Sequence, residues 1–497
     1  VESFQEVSNL ETITSVTPAL AVVTSLIAAI MILIFRRNPN IRETFSIGAG
    51  LVKFGIVCSM IPAIMQGKVV QLDILEFLPG LSIKFSVDAF GLFFGFTSSF
   101  LWIFTTLYSI GYMRSLEEHA QTRYFFSFAI AMSSAVGVAF SGNLFTLFIF
   151  YEILTVSTYP LVVHEESEEA MSAGRKYLAY LLTAGVFLLF SIATVYYYTG
   201  TTDFSFGGIL AGKGVPEDLL KLLFITFMIG CTKAAFIPLH SWLPTAMIAP
   251  TPVSALLHAV AVVKAGVFTA VRIILYVYGV DLMTNTGLAI PFAYFVSFTI
   301  IVGSLFALSQ DNLKLRLAYS TVSQLSYIVL GALLLTSSGM IGGIFHIASH
   351  AFGKITLFFC AGSIYVASGL KNVSELSGIG RKMPITMISF AIATLTMIGL
   401  PPGAGFISKW YLALGTIEAN QLVLLFVLLI SSILNAAYFL PIVYKAFFEE
   451  PNPSNMDGVK EASPFVYIPL LLTAIGSVII FFYPDYFLQL AKLALGV

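Results

Sequence analysis

Three side chains pose the first chemical question. His346, His350 and Lys354 fall at i, i+4 and i+8 inside a long apolar run. On a helix that spacing places all three on one face. Imidazole and amine groups can both pass protons on, so the stripe reads as a proton wire through an apolar environment. The competing reading is a set of hydrogen-bonded helix–helix contacts. Glu152, in Phe148-Ile-Phe-Tyr-Glu152-Ile-Leu, is a carboxylate in the middle of another apolar run. It must pair or stay neutral, and a lysine such as Lys233 would serve. Tightening and loosening such a pair would load and release a proton, whereas a static ion pair would only hold two helices together.

Further ionisable residues interrupt other apolar stretches: Lys53, His258, Lys264 and Lys409. Each insertion costs about 2.5 to 3.5 kcal/mol at a bilayer centre, so their number calls for a function. His258 and Lys264 are six residues apart, not quite on one face, yet able to bracket a wet path. His240 sits beside Pro238 and could relay protons or cap open backbone. Lys53 lies a few turns from a basic helix end, where a structural role or snorkelling to the interface is expected. His119 and His164 lie in charged loops and receive no role. Cys58, Cys231 and Cys360 lack metal-type spacing, so no metal site or disulfide framework is indicated and they read as small buried hydrophobes.

Composition says what must carry these groups. Of 497 residues, 58% are hydrophobic, 14% aromatic and 10% charged, with a mean hydropathy of +0.92. A soluble domain carries about 25% charged residues, so too few polar groups exist here to cover a soluble surface. With Lys+Arg 25 against Asp+Glu 26, no basic excess is present to meet nucleic acid. The chain reads as an all-α polytopic membrane protein in a lipid bilayer.

A crossing needs about 20 apolar residues. Fourteen stretches qualify, near 16–35, 44–66, 87–112, 124–141, 143–163, 176–199, 218–238, 252–278, 288–308, 315–335, 339–368, 384–411, 421–447 and 465–484. The first follows a polar, acidic stretch without a basic leader, so it is expected to be retained rather than cleaved. Lys and Arg number fourteen in the odd-numbered connections and four in the even ones. That bias puts the odd connections in the cytoplasm and both termini on the other side. The segment 449–461 reads as a plain cytoplasmic loop.

Two stretches are interrupted by proline: the seventh at Pro238, with Pro244, Pro250 and Pro252 beyond it, and the twelfth at Gly399-Leu-Pro401-Pro402-Gly403. Open backbone at membrane depth is tolerated only where it is buried or lines a wet cavity, and paired broken helices point to an ion path built from repeats. The expected organisation is 1–123 for helices 1–3, 124–278 for a first five-helix repeat and 279–447 for a second. Residues 448–497 then supply the loop and helix 14.

The run Lys233-Ala-Ala-Phe-Ile-Pro-Leu-His-Ser-Trp-Leu-Pro244, followed by Ala249-Pro-Thr-Pro-Val-Ser-Ala-Leu-Leu-His258 and Val262-Val-Lys264-Ala-Gly, closely resembles a known family. Phe150-Tyr-Glu152 and Gly399-Leu-Pro-Pro-Gly-Ala-Gly-Phe-Ile-Ser-Lys409-Trp extend the match. The family is the antiporter-like subunits of respiratory complex I, membrane-bound hydrogenases and Mrp cation/proton antiporters. Lys409 resembles the Mrp D-type and some complex I subunits, while His258 and Lys264 look like the larger Mrp A-type and its complex I counterpart; the chain as a whole resembles the Mrp D-type or the equivalent membrane hydrogenase subunit. The resemblance implies fourteen helices, inverted repeats of helices 4–8 and 9–13, and half-channels joined by a polar axis. It implies a Glu152–Lys233 modulating pair, a connection through His258 and Lys264, continuation through His346, His350 and Lys354, and an end at Lys409.

The expected function is an ion-translocating subunit that moves protons, with or without exchange for sodium. Redox partners or an ion gradient would drive it. The chain shows no nucleotide glycine loop and no cysteine cluster, so no cofactor and no catalytic chemistry are assigned to it. Partners would be other membrane subunits of such an assembly, in a prokaryotic plasma membrane. A self-sufficient transporter of a small solute would also use broken helices, but should take up substrate alone. A membrane transferase would need paired acids for a metal–diphosphate. The pairs Glu165-Glu166 and Glu168-Glu169 read instead as a solvated charge run.

Overall fold

A computed structural model describes residues 11–451 and 458–497. The first ten residues of the acidic N-terminal stretch, and 452–457 of the loop 449–461, lie outside the described residues. Among the described residues, eleven helices are long and apolar enough to cross a membrane. They include Thr17–Ile34, Ala89–Ser115, Leu144–Val162, Ser337–Ser368 and Leu422–Phe448. The other expected crossings fall on the helix Leu313–Leu333, which carries many hydroxyl and amide side chains, and on the two interrupted segments.

The helix Glu168–Thr199 begins earlier than its apolar run because Ser167 caps it, accepting from the Ala170 N–H at 3.1 Å. Glu168 and Glu169 then sit in the first turn, where carboxylates favour the positive end of the helix dipole. A small sheet was not anticipated. Val69–Leu78 pairs antiparallel with Leu81–Val87, and Thr12–Thr14 runs parallel to the first of these. Its signal was the two-residue alternation of Val70 and Leu72 with Gln71 and Asp73, hidden between two much stronger helical stretches. A short amphipathic helix, Asp485–Leu493, also follows the last apolar run and buries Phe487, Leu490 and Ala491.

Both expected breaks are present. The helix Glu217–Gly230 gives way to a tight turn at Thr232–Ala234, a left-handed Ala235 and the short helix Trp242–Thr245. The helix Pro384–Ile398 stops at Gly399 and resumes at Gly405–Glu418. Backbone groups freed by the breaks find side-chain partners, as a dry interior requires. The Trp242 indole donates to the Thr232 carbonyl at 3.1 Å, and Lys409 donates to the Met397 and Ile398 carbonyls at 2.9 Å each.

Burial is distributed from the middle outward. The segment Thr251–Tyr278 is entirely buried, widened at Leu256–Val260 and Ile273–Tyr278 into π-helical turns. Peripheral helices present Val186, Phe426 and Ile433 outward, an apolar belt suited to lipid. Polar connections lock to one another in two sets. On one face, Arg42 donates to Gln121 and Thr122, Lys176 to Thr245, Lys314 to the Ala249 carbonyl, and Ser374 to Asp311. On the other, Lys84 pairs with Asp203 and the Leu210 N–H meets the Val277 carbonyl.

Candidate ion pathway

Lys233 occupies the turn at the first break, completely buried. Its Nζ donates to the Tyr151 carbonyl at 3.0 Å, lies 3.3 Å from the centroid of that residue's ring, and stands 3.9 Å from Glu152 Oε1. The ammonium is therefore held by a carbonyl and a π face, with the carboxylate just beyond hydrogen-bond reach. Such a loose pair can close or open with a small rotation. Room for the carboxylate comes from Gly185, where a Cβ would lie 2.6 Å from Glu152 Oε1.

The lysine turn is pinned from the other side by Gly266 on the helix Val262–Arg272. A Cβ there would sit 2.4 Å from the Ala234 nitrogen and 2.5 Å from the Lys233 carbonyl carbon. Gly266→Val should therefore overpack the contact and destabilise the protein by about 1–3 kcal/mol. Thermal unfolding in detergent would check this; an unchanged midpoint would show that the turn can move aside.

The second cluster is more continuous. Lys264 Nζ meets His350 Nδ1 at 2.8 Å, and the rings of His350 and His346 are 5.9 Å apart. His346 bonds through Nδ1 to Ser408 Oγ at 2.8 Å and through Nε2 to Gln324 Oε1 at 2.9 Å. The Gln324 amide reaches the Met397 carbonyl at 3.5 Å, the same carbonyl that takes the Lys409 ammonium. Lys409 also reaches Ser432 at 3.2 Å and lies 5.0 Å from the Tyr327 ring centroid. Lys354 opens a side branch: its Nζ donates to Ser320 Oγ at 2.9 Å, Ser320 and the Tyr438 hydroxyl are hydrogen-bonded at 3.0 Å, Tyr438 donates to the Asn435 amide oxygen, and Asn435 donates to Met397 O at 3.3 Å.

Two expected residues stand apart from these chains. His258, in the widened turn, is fully buried against the Phe358 ring at 4.9 Å, and neither of its nitrogens makes a hydrogen bond. His240 lies loosely against the adjoining rings of Phe306 and Tyr319, 6.2 Å from each centroid. Lys53 does not reach the interface. It is fully buried, donates to the Met132 carbonyl at 3.3 Å and lies 4.7 Å from the Trp102 ring centroid. Its helix packs its amine inward, so snorkelling is replaced by internal satisfaction.

Sequence reasoning missed Ser320, Gln324, Tyr327, Ser408, Asn435 and Tyr438. A signal existed for three of them: Ser320, Gln324 and Tyr327 are spaced four and three apart on one helix. It missed Arg272 as well, which forms a bidentate pair with Asp88 at 2.5 and 2.6 Å, surrounded by aromatic rings.

These features define a polytopic membrane protein with two interrupted helices and a buried lysine–histidine chain between them. Comparison with known proteins places it further. Residues 141–435, more than half of the chain, match the model of the NADH:quinone oxidoreductase/Mrp antiporter membrane family. NADH-quinone oxidoreductase subunit N of Desulforudis audaxviator is 33% identical over 396 residues, covering 77% of this chain and 78% of that protein. The chain thus belongs to the NADH:quinone oxidoreductase/Mrp antiporter family. NAD(P)H-quinone oxidoreductase chain 5 of Synechocystis sp. is 33% identical over 332 residues; that match takes in 64% of this chain and about half, 47%, of the relative. The fold is shared with a chain of the Mrp complex from Dietzia sp., at a TM-score of 0.86 and 21% identity over 97% of this chain and 96% of that one. It is equally shared with a chain of the membrane-bound sulfane sulfur reductase, an archaeal respiratory membrane complex, at 0.86 and 24% over 97% of each.

Proposed function

We propose that this chain is the proton-conducting membrane subunit of a multisubunit assembly, carrying protons between the Glu152–Lys233 pair and Lys409 through Lys264, His350 and His346. The observation that carries the reading is the Lys264–His350 contact at 2.8 Å, a direct amine–imidazole link between two buried side chains. A proton arriving on Lys264 can pass to His350, cross to His346 by ring reorientation, and leave His346 Nδ1 through the Ser408 hydroxyl on the helix that follows the second break, while the Gln324 amide holds Nε2. Both broken-helix lysines rest on a tyrosine ring, Tyr151 for Lys233 and Tyr327 for Lys409, which supports repeats at 124–278 and 279–447 and fourteen crossings in all.

Access from the face rich in Lys and Arg is offered by a cavity of about 740 Å³ beneath the first break, lined by Glu165, Glu169, Thr245, Asn312, Lys314 and Lys371. That face is assigned to the cytoplasm on the positive-inside bias, with both termini opposite and the protein in a prokaryotic plasma membrane. No cofactor is assigned to the chain. Its driving force comes from other subunits, through redox chemistry or by exchange against a second ion such as sodium. Mass spectrometry of the native complex distinguishes these: iron–sulfur or nickel partners mean a redox pump, and small membrane subunits alone mean a gradient-driven exchanger.

The pathway itself is tested by His350→Leu in the assembled complex. Proton uptake into inverted vesicles should fall by about 100-fold, the scale of one positioned proton-transfer group, with subunit composition unchanged. Uptake at the parental rate would place the path elsewhere.

A further inference from the structure

The proposed path leaves unused a second histidine cluster, on the face rich in Lys and Arg. The helix Ala89–Ser115 ends into a turn holding Glu118 and His119, and the helix Leu144–Val162 ends just before His164. His164 is fully buried, yet neither ring nitrogen has a hydrogen-bond partner. A buried imidazole with two idle nitrogens is disfavoured unless something binds it. What faces it is a carboxylate and a second imidazole: His164 Nε2 is 3.6 Å from Glu118 Oε2, His119 Nδ1 is 4.0 Å from the same oxygen, and the two rings are 4.8 Å apart.

We propose that Glu118, His119 and His164 form a binding site for a divalent transition metal of the zinc class. One ligand atom from each residue lies within 4.8 Å of the others. Bonds of about 2.0–2.2 Å in a tetrahedral site bring ligand atoms to about 3.3–3.6 Å from one another, a contraction that rotation of the exposed His119 supplies. Two imidazoles and one carboxylate form a donor set suited to zinc, with one position left for water. The neighbouring cation does not oppose this. Arg123 is committed to the Glu166 carboxylate and to the His164 carbonyl, and its hydrogen bond, with its charge, holds that carboxylate below its usual range. The Tyr124 ring, edge-on to His164 at 5.8 Å, braces the imidazole. A bound metal would clamp the third-to-fourth connection to the fifth-to-sixth, at the end of the helix that carries Glu152.

The test is titration of the full-length, tag-free protein with Co²⁺ and Zn²⁺, following cobalt absorption, metal per chain and the unfolding midpoint. One equivalent should bind, and Zn²⁺ should displace Co²⁺ and raise the midpoint. His119→Ala removes a half-exposed side chain and Glu118→Gln is isosteric, so both variants should fold with the parental midpoint in a chelator. Each should weaken binding by more than the about 10–100-fold that an outer-sphere partner is worth. Absence of stoichiometric binding overturns the proposal, and so does binding that both variants retain at parental affinity.

Discussion

Lys233→Ala should abolish ion translocation while leaving the complex assembled. The ammonium is a group at the first break that can take up and give away a proton, and it is held by the Tyr151 carbonyl and ring with Glu152 3.9 Å away. Removing a positioned proton carrier costs about 10²–10⁴-fold in rate, enough to bring pumping to background. Folding should survive. Glu152 keeps about a fifth of its side-chain surface exposed, so once its partner is gone it can take a proton rather than remain a stranded charge. Lys233→Arg separates two explanations, because arginine keeps the charge but does not release its proton. Translocation should be lost there too. Native electrophoresis and vesicle proton uptake read the two properties independently, and ion movement retained in the alanine variant would remove this lysine from the mechanism.

The largest effect on stability is expected at Asp88, which pairs with Arg272 at the end of the helix Val262–Arg272. Its carboxylate grips Arg272 with two oxygens, and Oδ1 also accepts from the Gly91 N–H at 2.7 Å, capping the helix Ala89–Ser115. Arg272 is itself almost wholly buried among Phe90, Phe268 and Tyr276. Asp88→Ala leaves that guanidinium without its counter-charge, a loss of about 3–5 kcal/mol, and removes a helix cap worth about 1 kcal/mol. The unfolding midpoint in detergent should drop sharply. Adding Arg272→Met should recover most of the loss, since apolar replacement of a buried ion pair is often neutral. If the double variant is no more stable than Asp88→Ala, the pair is not the source of the effect.

Much of this protein was legible in the chain because a bilayer imposes few solutions. Length and scarce charge point to a bilayer, where only helices and closed barrels satisfy every backbone group, and long apolar runs without two-residue alternation leave helical crossings. Pro238 and Pro401 mark the two breaks because proline cannot continue the hydrogen-bond ladder. The i, i+4, i+8 spacing of His346, His350 and Lys354 placed them on one side of a helix for the same local reason. Periodicity within one element is a short-range property, and sequence carries it directly.

Which groups meet across elements was decided only by tertiary packing. Nothing local says that Lys264 faces His350 rather than His258, or that His346 closes on Ser408 and Gln324. Those contacts depend on the relative rotation and depth of four helices. Gly266 sets one such approach by letting the helix Val262–Arg272 press against the lysine turn. The inward turn of Lys53 and the assembly of Glu118, His119 and His164 from two separate connections are of the same kind. Residue type and spacing determined which side chains could exchange protons; close packing of helices decided which of them are near enough to do so.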